Sequence, residues 1–200
     1  MHEVSASELI KKGVLAKPFF KFLEVREPGM SNLKHWLDVY ERGIVQNTAR
    51  NDMVINAANH LINLKCKPLV IVNHIEHMET LHRMFTTIGI KSKMASGNMG
   101  ARDRAKSLKE LGSGKLDTIV CTNIFDEGID VKEVGGVVMA AGTKSAPAFM
   151  QRTGRAIRKK EENNRAIVID FMDRQHPMLL KHSHQRLTLV RAEEEFILLS

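Results

Sequence analysis

Strand-like runs of apolar residues alternate with helix-like runs from about residue 68 onward. The continuous apolar run P-L-V-I-V-N (68–73) is typical of a strand that is buried on both faces. Residues 76–88 place apolar side chains at helical spacing, and Gly89 ends that predicted helix. Further predicted strands lie at 90–95, 116–122, 135–141 and 165–171, and further predicted helices lie at 101–111, 145–158 and 176–196.

This alternation predicts an α/β fold in which a parallel sheet is covered by helices on both faces. Right-handed crossovers then place the loops that follow the strands at one edge of the sheet, where ligands usually bind. Three polar loops are expected at that edge, at residues 73–76, 96–100 and 122–130. The first 60 residues are less regular: residues 18–25 predict a strand, and residues 32–40 and 51–62 predict helices.

Composition and charge narrow the classes of function. Hydrophobic residues make up 43% of the 200 residues, enough for an ordinary packed core. The net charge of +7 favours anionic partners such as nucleic acid, nucleotides or acidic membranes. No apolar run approaches the length of a membrane-spanning helix. Cys66 and Cys121 lack a CxxC partner, so we expect reduced core residues in a cytosol-like compartment. The histidine pairs at 74–77 and 182–184 complete no tetrahedral metal site.

The stretch Q-R-T-G-R-A-I-R-K-K (151–160) is half Lys and Arg. On a helical wheel, Gln151, Arg155 and Arg158 share the face opposite the predicted core face, and Gly154 beside them allows another surface to approach. Such a face is either a solvated surface or a phosphate clamp, because guanidinium groups match phosphate oxygens. In phosphoryl-transfer enzymes an arginine finger accelerates the reaction by about 10³–10⁵.

A second polar stretch, T-N-I-F-D-E-G-I-D-V (122–131), directly follows a predicted buried strand. It places Asp126, Glu127 and Asp130 around Gly128. Carboxylates at this edge of a sheet can bind ribose hydroxyls, hold a Mg²⁺-bound water or pair with arginines. A simple polar turn explains Gly128 but not the acidic residues on both sides of it.

Together the two stretches resemble motifs V and VI of superfamily 2 helicases. Motif VI, Q-x-x-G-R-x-x-R, is matched by residues 151–158, and motif V, a Thr followed by E-G-I-D, is matched by residues 122–130. Residues 68–77 resemble motif IV, and residues 96–104 resemble the loop and helix between motifs IV and V. Residues 8–18 are similar to the connector between the two motor domains, most like that of phage branch-migration helicases and their DNA-repair relatives.

The resemblance implies a RecA-like second motor domain of an ATP-dependent helicase or translocase. It implies an inter-domain connector and N-terminal extension at 1–45, the RecA-like domain at 46–175 and a C-terminal helical extension at 176–200. The extension is either a structural helix or a docking surface. The resemblance also implies the cytoplasm of a bacterium or of a phage-infected host as the location.

The resemblance assigns roles to single residues. Arg155 and Arg158 are implied to be arginine fingers that reach the phosphates of ATP. The residues implied to line the nucleotide side of the cleft are Gln151, Gly154, Glu127, Gly128 and Asp130. The residues implied to contact the nucleic-acid backbone are Thr122, Ser96 and Gly97, the last two through amide groups near a helix start.

The phosphate loop and Mg²⁺ site of the family's first motor domain do not occur in this sequence. The run G-S-G-K-L (112–116) is not a phosphate loop, because Lys109 occupies the first glycine position and Leu116 the Ser/Thr position. We therefore expect ATP as the cofactor, Mg²⁺ held mainly by an N-terminal RecA-like domain in cis or in trans, and little turnover by this chain alone. The expected partner is nucleic acid, DNA rather than RNA, and no membrane. The alternative is a non-catalytic nucleic-acid-binding or regulatory module.

Overall fold

The computed structural model describes residues 6–12, 16–26, 30, 32–122, 134–143 and 165–200. The strands are β1 (Lys17–Val25), β2 (Pro68–Ile71), β3 (Ser92–Ala95), β4 (Thr118–Cys121), β5 (Gly136–Met139), β6 (Arg165–Asp173) and β7 (Ile197–Leu198). The helices are α1 (Ala6–Lys11), α2 (Trp36–Tyr40), α3 (Thr48–Asn63), α4 (Ile75–Thr87), α5 (Ala101–Gly112) and α6 (Pro177–Ala192), and a π-helical turn (Glu41–Val45) follows α2.

The continuous apolar runs form the central strands, as predicted. Every residue of β2, β4 and β5 is buried. Valine and isoleucine dominate these strands, because β-branched side chains pack well on a pleated surface that is covered on both sides. The strands predicted at 68–73, 116–122 and 135–141 are confirmed, each a little shorter than predicted.

All strand pairs in the described part of the chain are parallel, and they form one sheet in the order β3-β4-β2-β5-β6-β1-β7. The longest pairing joins β1 to β6, from Lys17 opposite Arg165 to Val25 opposite Asp173. β1 comes from the predicted connector and β7 from the predicted C-terminal extension, and both join the central sheet. The domain boundaries themselves stay a prediction.

Helices cover both faces of the sheet, which confirms the predicted layers. On one face the core contains Leu108 and Leu111 of α5 and Val190 of α6. On the other face α3 and α4 pack against the sheet through residues that include Leu61 and Phe85. The parallel strands are therefore shielded from water on both sides, as their sequence requires.

The predicted helices differ from the observed ones mainly at their ends. α4 matches the predicted 76–88 closely, and Gly89 follows it with φ +79°. α6 ends at Ala192 rather than at residue 196, because Phe196 turns inward and stacks on Phe20 with ring centroids 5.0 Å apart. The two-residue strand β7 follows and was not predicted. The predicted helix at 145–158 and the predicted loop at 122–130, except Thr122, lie outside the described residues.

Two predictions from composition are tested by the described residues. Cys121 is buried and Cys66 is half-buried, and neither forms a disulfide. Within the described ranges, no helix is long and apolar enough to cross a membrane.

Candidate nucleic-acid interface

Three predicted contact residues meet at the C-terminal edge of the sheet. Ser96 directly follows β3 and Thr122 directly follows β4, and the last residues of these strands, Ala95 and Cys121, are paired. The amide N–H of Gly97 donates a hydrogen bond to Oγ1 of Thr122 at 3.2 Å. The amide N–H of Thr122 donates one to the carbonyl oxygen of Ala95 at 3.1 Å. Parallel pairing of β3 and β4 therefore brings the predicted residues together.

The Thr122 hydroxyl is arranged to donate to a further acceptor. Its oxygen accepts from Gly97, so its own O–H can still donate to an acceptor. Gly97 is exposed, and no atom lies within 4 Å of the position that a Cβ on it would occupy. A phosphate oxygen can therefore approach this edge. The amide of Gly97 was predicted to bind phosphate itself, but in this structure it donates to Thr122.

The loop that begins at Ser96 leads into the N-terminus of α5. Gly100 is the N-cap, and its carbonyl accepts from the amide groups of Asp103 and Arg104, both at 3.1 Å. The amide groups of a helix's first turn and the helix dipole favour an anion at this end. Exposed Arg102 adds positive charge there, and the carboxylate of Asp103 offsets part of it.

The third polar loop, 73–76, lies beside a row of rings that the sequence did not predict. His74 is exposed, and its ring centroid is 4.9 Å from that of Tyr40. The ring of Trp36 is 5.5 Å from Tyr40 and 4.5 Å from His182. The i, i+4 spacing of Trp36 and Tyr40 on a predicted helix was the available signal, and it gathers the chain's only Trp and Tyr at this edge.

His77, three residues further on, is completely buried. Nδ2 of Asn51 donates to the carbonyl oxygen of Val45 at 2.9 Å, so Oδ1 of Asn51 faces His77 and can only accept. Nε2 of His77, 2.8 Å from that oxygen, therefore carries the ring proton, and Nδ1 has no hydrogen-bond partner among the described residues. Burial, with the charges of Arg50 and His74, lowers the pKa of His77 to about 3.

Two arginine–carboxylate pairs lie behind the edge, in the interior. Arg50 of α3 pairs with Asp173 at 2.7 Å, and Arg186 of α6 pairs with Asp170 at 2.8 Å. All four side chains are at most 3% exposed. The sequence carries no signal for these pairs, because charged residues predict exposed positions and the partners of the first pair are 123 positions apart.

The residues predicted to contact the nucleotide lie outside the described residues. They are Gln151, Gly154, Arg155, Arg158, Glu127, Gly128 and Asp130. The described chain ends at Thr122 and resumes at Val134 around the acidic stretch, and it ends at Thr143 and resumes at Arg165 around the basic stretch. Their roles stay predictions.

In the part of the chain that the structure describes, no group of three or more His, Cys, Asp and Glu could hold a metal ion. His74 is exposed whereas His77 is buried, so the two do not form a chelating pair. The described residues therefore do not form a Mg²⁺ site of their own, and Mg²⁺ held mainly by a first motor domain stays a prediction.

Comparison with known proteins identifies the family to which this fold is similar. Residues 51–160 match the family model described as helicase conserved C-terminal domain. Putative helicase 22 of Sulfolobus islandicus filamentous virus is 25% identical over 143 residues, covering 72% of this chain and 25% of that protein. T4 UvsW superposes with a TM-score of 0.71 at 20% identity, covering 91% of this chain and 40% of UvsW.

A further solved structure, S. cerevisiae Dbp5 bound to RNA and ADP BeF3, superposes with a TM-score of 0.59 at 13% identity. It covers 98% of this chain and 43% of the Dbp5 chain. These likenesses confirm the predicted RecA-like fold of a helicase C-terminal domain. The chain spans about a quarter of the length of the curated relatives it matches.

Proposed function

The chain belongs to the helicase conserved C-terminal domain family of superfamily 2, and from that membership we propose that it is the second motor domain of an ATP-dependent helicase or translocase. The observation that carries the proposal is the meeting of Ser96, Gly97 and Thr122 at one exposed edge of the sheet. We name these three residues the edge group. Its partners are a nucleic acid and an N-terminal RecA-like domain, in cis or in trans.

On the nucleic-acid side, the edge group binds the phosphate backbone. The Thr122 hydroxyl donates to a phosphate oxygen, and the N-terminus of α5 with Arg102 favours the same anion. Such contacts carry no base information, so binding is independent of sequence and weakens as salt is added. The net charge of +7 supports an anionic partner.

On the nucleotide side, Arg155 and Arg158 act as arginine fingers. ATP bound between the two motor domains supplies the γ-phosphoryl group that is transferred to water. Two guanidinium groups stabilise the charge that develops during that transfer. The residues that line the nucleotide side of the cleft in this proposal are Gln151, Gly154, Glu127, Gly128 and Asp130.

We propose DNA as the substrate rather than RNA. The support is the similarity of residues 8–18 to the connector of phage branch-migration and DNA-repair helicases. The likeness in fold to Dbp5 bound to RNA makes RNA the substrate to test against it. The proposal includes a location in the cytoplasm of a bacterium or of a phage-infected host, as the resemblance to phage and DNA-repair helicases implies.

A non-catalytic nucleic-acid-binding or regulatory module is the second candidate. The observation that favours it is that the edge group needs no nucleotide to contact a phosphate. It differs from the motor in one respect: a binding module has no use for the guanidinium groups of Arg155 and Arg158. ATP turnover therefore separates the two candidates.

The test measures ATP hydrolysis by this chain alone and by this chain joined to the first motor domain of a relative. Each is measured without nucleic acid and with single-stranded DNA, branched DNA or RNA. The joined protein is expected to turn over ATP faster on DNA, and the lone chain is expected to be nearly inactive. Arg155→Ala or Arg158→Ala should lower kcat of the joined protein by about 10³-fold or more.

Arg152→Ala is the matched control, because it removes an arginine from the same stretch about 100° away from the predicted finger face. Its kcat should stay within about twofold of the parent. If the joined protein hydrolyses ATP equally fast without the Arg155 and Arg158 side chains, the motor proposal is contradicted and the binding module is favoured.

A further inference from the structure

Two buried side chains hold the main chain where it leaves β5. Nη1 of Arg50 donates a hydrogen bond to the carbonyl oxygen of Ala140 at 2.8 Å. The Tyr40 hydroxyl donates one to the carbonyl oxygen of Ala141, also at 2.8 Å. Ala140 and Ala141 lie beyond the last residue of β5 and are 0% and 3% exposed. Their carbonyl groups therefore depend on these two donors rather than on water.

A third buried side chain holds the same segment from another element. Nη1 of Arg186, in α6, donates to the carbonyl oxygen of Thr143 at 3.0 Å. Nε and Nη2 of Arg186 bind the two carboxylate oxygens of Asp170 at 2.8 and 3.1 Å. Burial works against the charge of Arg186, but Asp170 outweighs it and raises the pKa of the guanidinium. The donor therefore stays charged.

The three donors belong to one network, which we name the carbonyl clamp: Tyr40, Arg50 and Arg186. The charges of Arg50 and Arg186 are balanced by Asp173 and Asp170 of β6, the strand next to β5. Buried ion pairs add little net stability compared with apolar side chains of the same volume. The network instead fixes the position of one short stretch of main chain, because side chains of α2, α3 and α6 all bind it.

A glycine completes the turn that the carbonyl clamp holds. Gly142 has φ +63°, a conformation that other residues rarely adopt. A Cβ on it would lie 2.7 Å from Cδ1 of Ile44 and 3.5 Å from Nη2 of Arg50. The direction in which the chain leaves the sheet is therefore determined by side chains on three helices and by this glycine.

Thr143 is the last described residue before residues 144–164, which contain the proposed fingers Arg155 and Arg158. We propose that the carbonyl clamp positions these arginines for ATP hydrolysis, by fixing where their segment starts. The inference rests on the proposed function. The members of the clamp lie outside residues 51–160, which match the family, so membership of the family does not assign them this role.

Tyr40→Phe in the joined two-domain protein is the most selective test. It removes one O–H group and leaves the ring that packs against Trp36 and His74. We expect kcat on DNA to fall about 3- to 10-fold, because a small misplacement of a catalytic group is costly. KM for ATP and Kd for DNA should stay within about twofold. Thr118→Val is the matched control, since it removes a buried hydroxyl that donates to the Pro68 carbonyl at 2.9 Å, away from the clamp.

The double variant Arg186→Met/Asp170→Leu separates positioning from stability. It removes the donor to Thr143 together with the carboxylate that would otherwise stay buried without its partner. The melting temperature should fall much less than in Arg186→Met alone, because no buried charge is left without its partner, although the main chain of Phe171 and Thr143 loses hydrogen bonds. kcat should nevertheless fall by about 10- to 100-fold. A purely structural role predicts that kcat follows the melting temperature instead.

Coupling to the fingers is measured in an Arg158→Lys background, which should retain measurable turnover. Tyr40→Phe should lower kcat much less there than in the parent, because both changes act on the same group. This inference is overturned if Tyr40→Phe lowers kcat equally in both backgrounds. It is also overturned if the clamp variants leave kcat unchanged while Arg158→Ala abolishes turnover. Either result leaves the proposed function standing. If Arg158→Ala itself leaves turnover unchanged, the proposed function and this inference are both overturned.

Discussion

Two polar regions of this domain differ in their exposure to water. In the edge group, Ser96, Gly97 and Thr122, main-chain amides make the hydrogen bonds, Gly97 is exposed, and Ser96 and Thr122 are half-buried. The charged residues around the carbonyl clamp are buried and fully paired. An exposed polar group costs little to leave unpaired, whereas a buried charge without its partner costs several kcal/mol. Substitutions in the interior should therefore change stability, and those at the edge should change binding.

The largest effect is expected from Arg50→Met. It leaves the carboxylate of Asp173 buried without its main partner, and it removes the donor to the carbonyl of Ala140. The free energy of unfolding, measured with urea, should fall by about 3–5 kcal/mol. Arg174→Met is the control, because Arg174 pairs with Glu24 at 2.9 Å on the surface. Similar losses for both variants would remove the contrast between buried and exposed charges.

The second prediction is that the stability of the domain depends on pH through His77. Its pKa is about 3 in the folded chain, because of burial and the charges of Arg50 and His74, and its ordinary value is 6.5. Below pH 6.5 the unfolded chain binds a proton that the folded chain does not bind. The free energy of unfolding is therefore unaffected by this proton above pH 6.5 and decreases as the pH falls toward 3, by about 2 kcal/mol at pH 5.

His77→Gln tests this contribution, since its amide can still donate to Oδ1 of Asn51. The variant should lose about 2 kcal/mol less than the parent when urea unfolding is compared at pH 7 and pH 5. Exposed His184→Gln is the control and should follow the parent. If His77→Gln also follows the parent, His77 is not held neutral by the fold.

A smaller difference in stability is expected between alanine substitutions at two glycines, one in each region. Gly142→Ala places a Cβ at φ +63° and 2.7 Å from Ile44, and should destabilise the domain by about 1–2 kcal/mol. Gly97→Ala places a Cβ where no atom lies within 4 Å, and should change stability by less than about 0.5 kcal/mol. Thermal unfolding of both variants measures the difference. A larger loss at Gly97 would show that the edge loop is packed rather than open.

The smallest effect is expected at Thr122, and it should appear in binding. Thr122→Val removes the hydroxyl that accepts from Gly97 and can donate to a phosphate. Affinity for single-stranded DNA, measured by fluorescence anisotropy, should fall about fivefold, equivalent to about 1 kcal/mol. Its salt dependence should stay the same, whereas Arg102→Ala should reduce the slope against log salt by about one. Unchanged affinity in Thr122→Val would remove this residue from the interface.

The sequence predicted what depends on local pattern. Buried runs such as 68–73 identified the central strands, and right-handed crossovers placed the loops at 96–100 and 122–130 at the same edge of the sheet. That β3 and β4 are neighbours, which brings Ser96 close to Thr122, was not predicted. The sequence did not predict that Arg50 and Arg186 are buried, because charge alone predicts exposure, and Asp173, the partner of Arg50, is 123 positions away in the chain. The short strand β7 was also missed, since two residues carry no alternating pattern.

The N-terminal segment also shows that a local sequence pattern predicts an element but not its contacts. β1 was predicted as a strand, but its nine-residue pairing with β6 follows from tertiary structure. Tyr40 was assigned to a helix, yet its contact with the Ala141 carbonyl joins positions that are 101 residues apart. Residues outside the family match therefore contact main chain inside it, at residues 140–143.

The central claim is that this domain supplies half of an ATP-hydrolysing site, and DNA-stimulated turnover of the joined two-domain protein tests it most directly. The ratio of kcat with DNA to kcat without it should exceed one in the parent and in Arg152→Ala, and turnover should be lost in Arg158→Ala. Equal turnover in the parent and in Arg158→Ala, with DNA binding retained, would contradict the claim and identify the domain as a binding module.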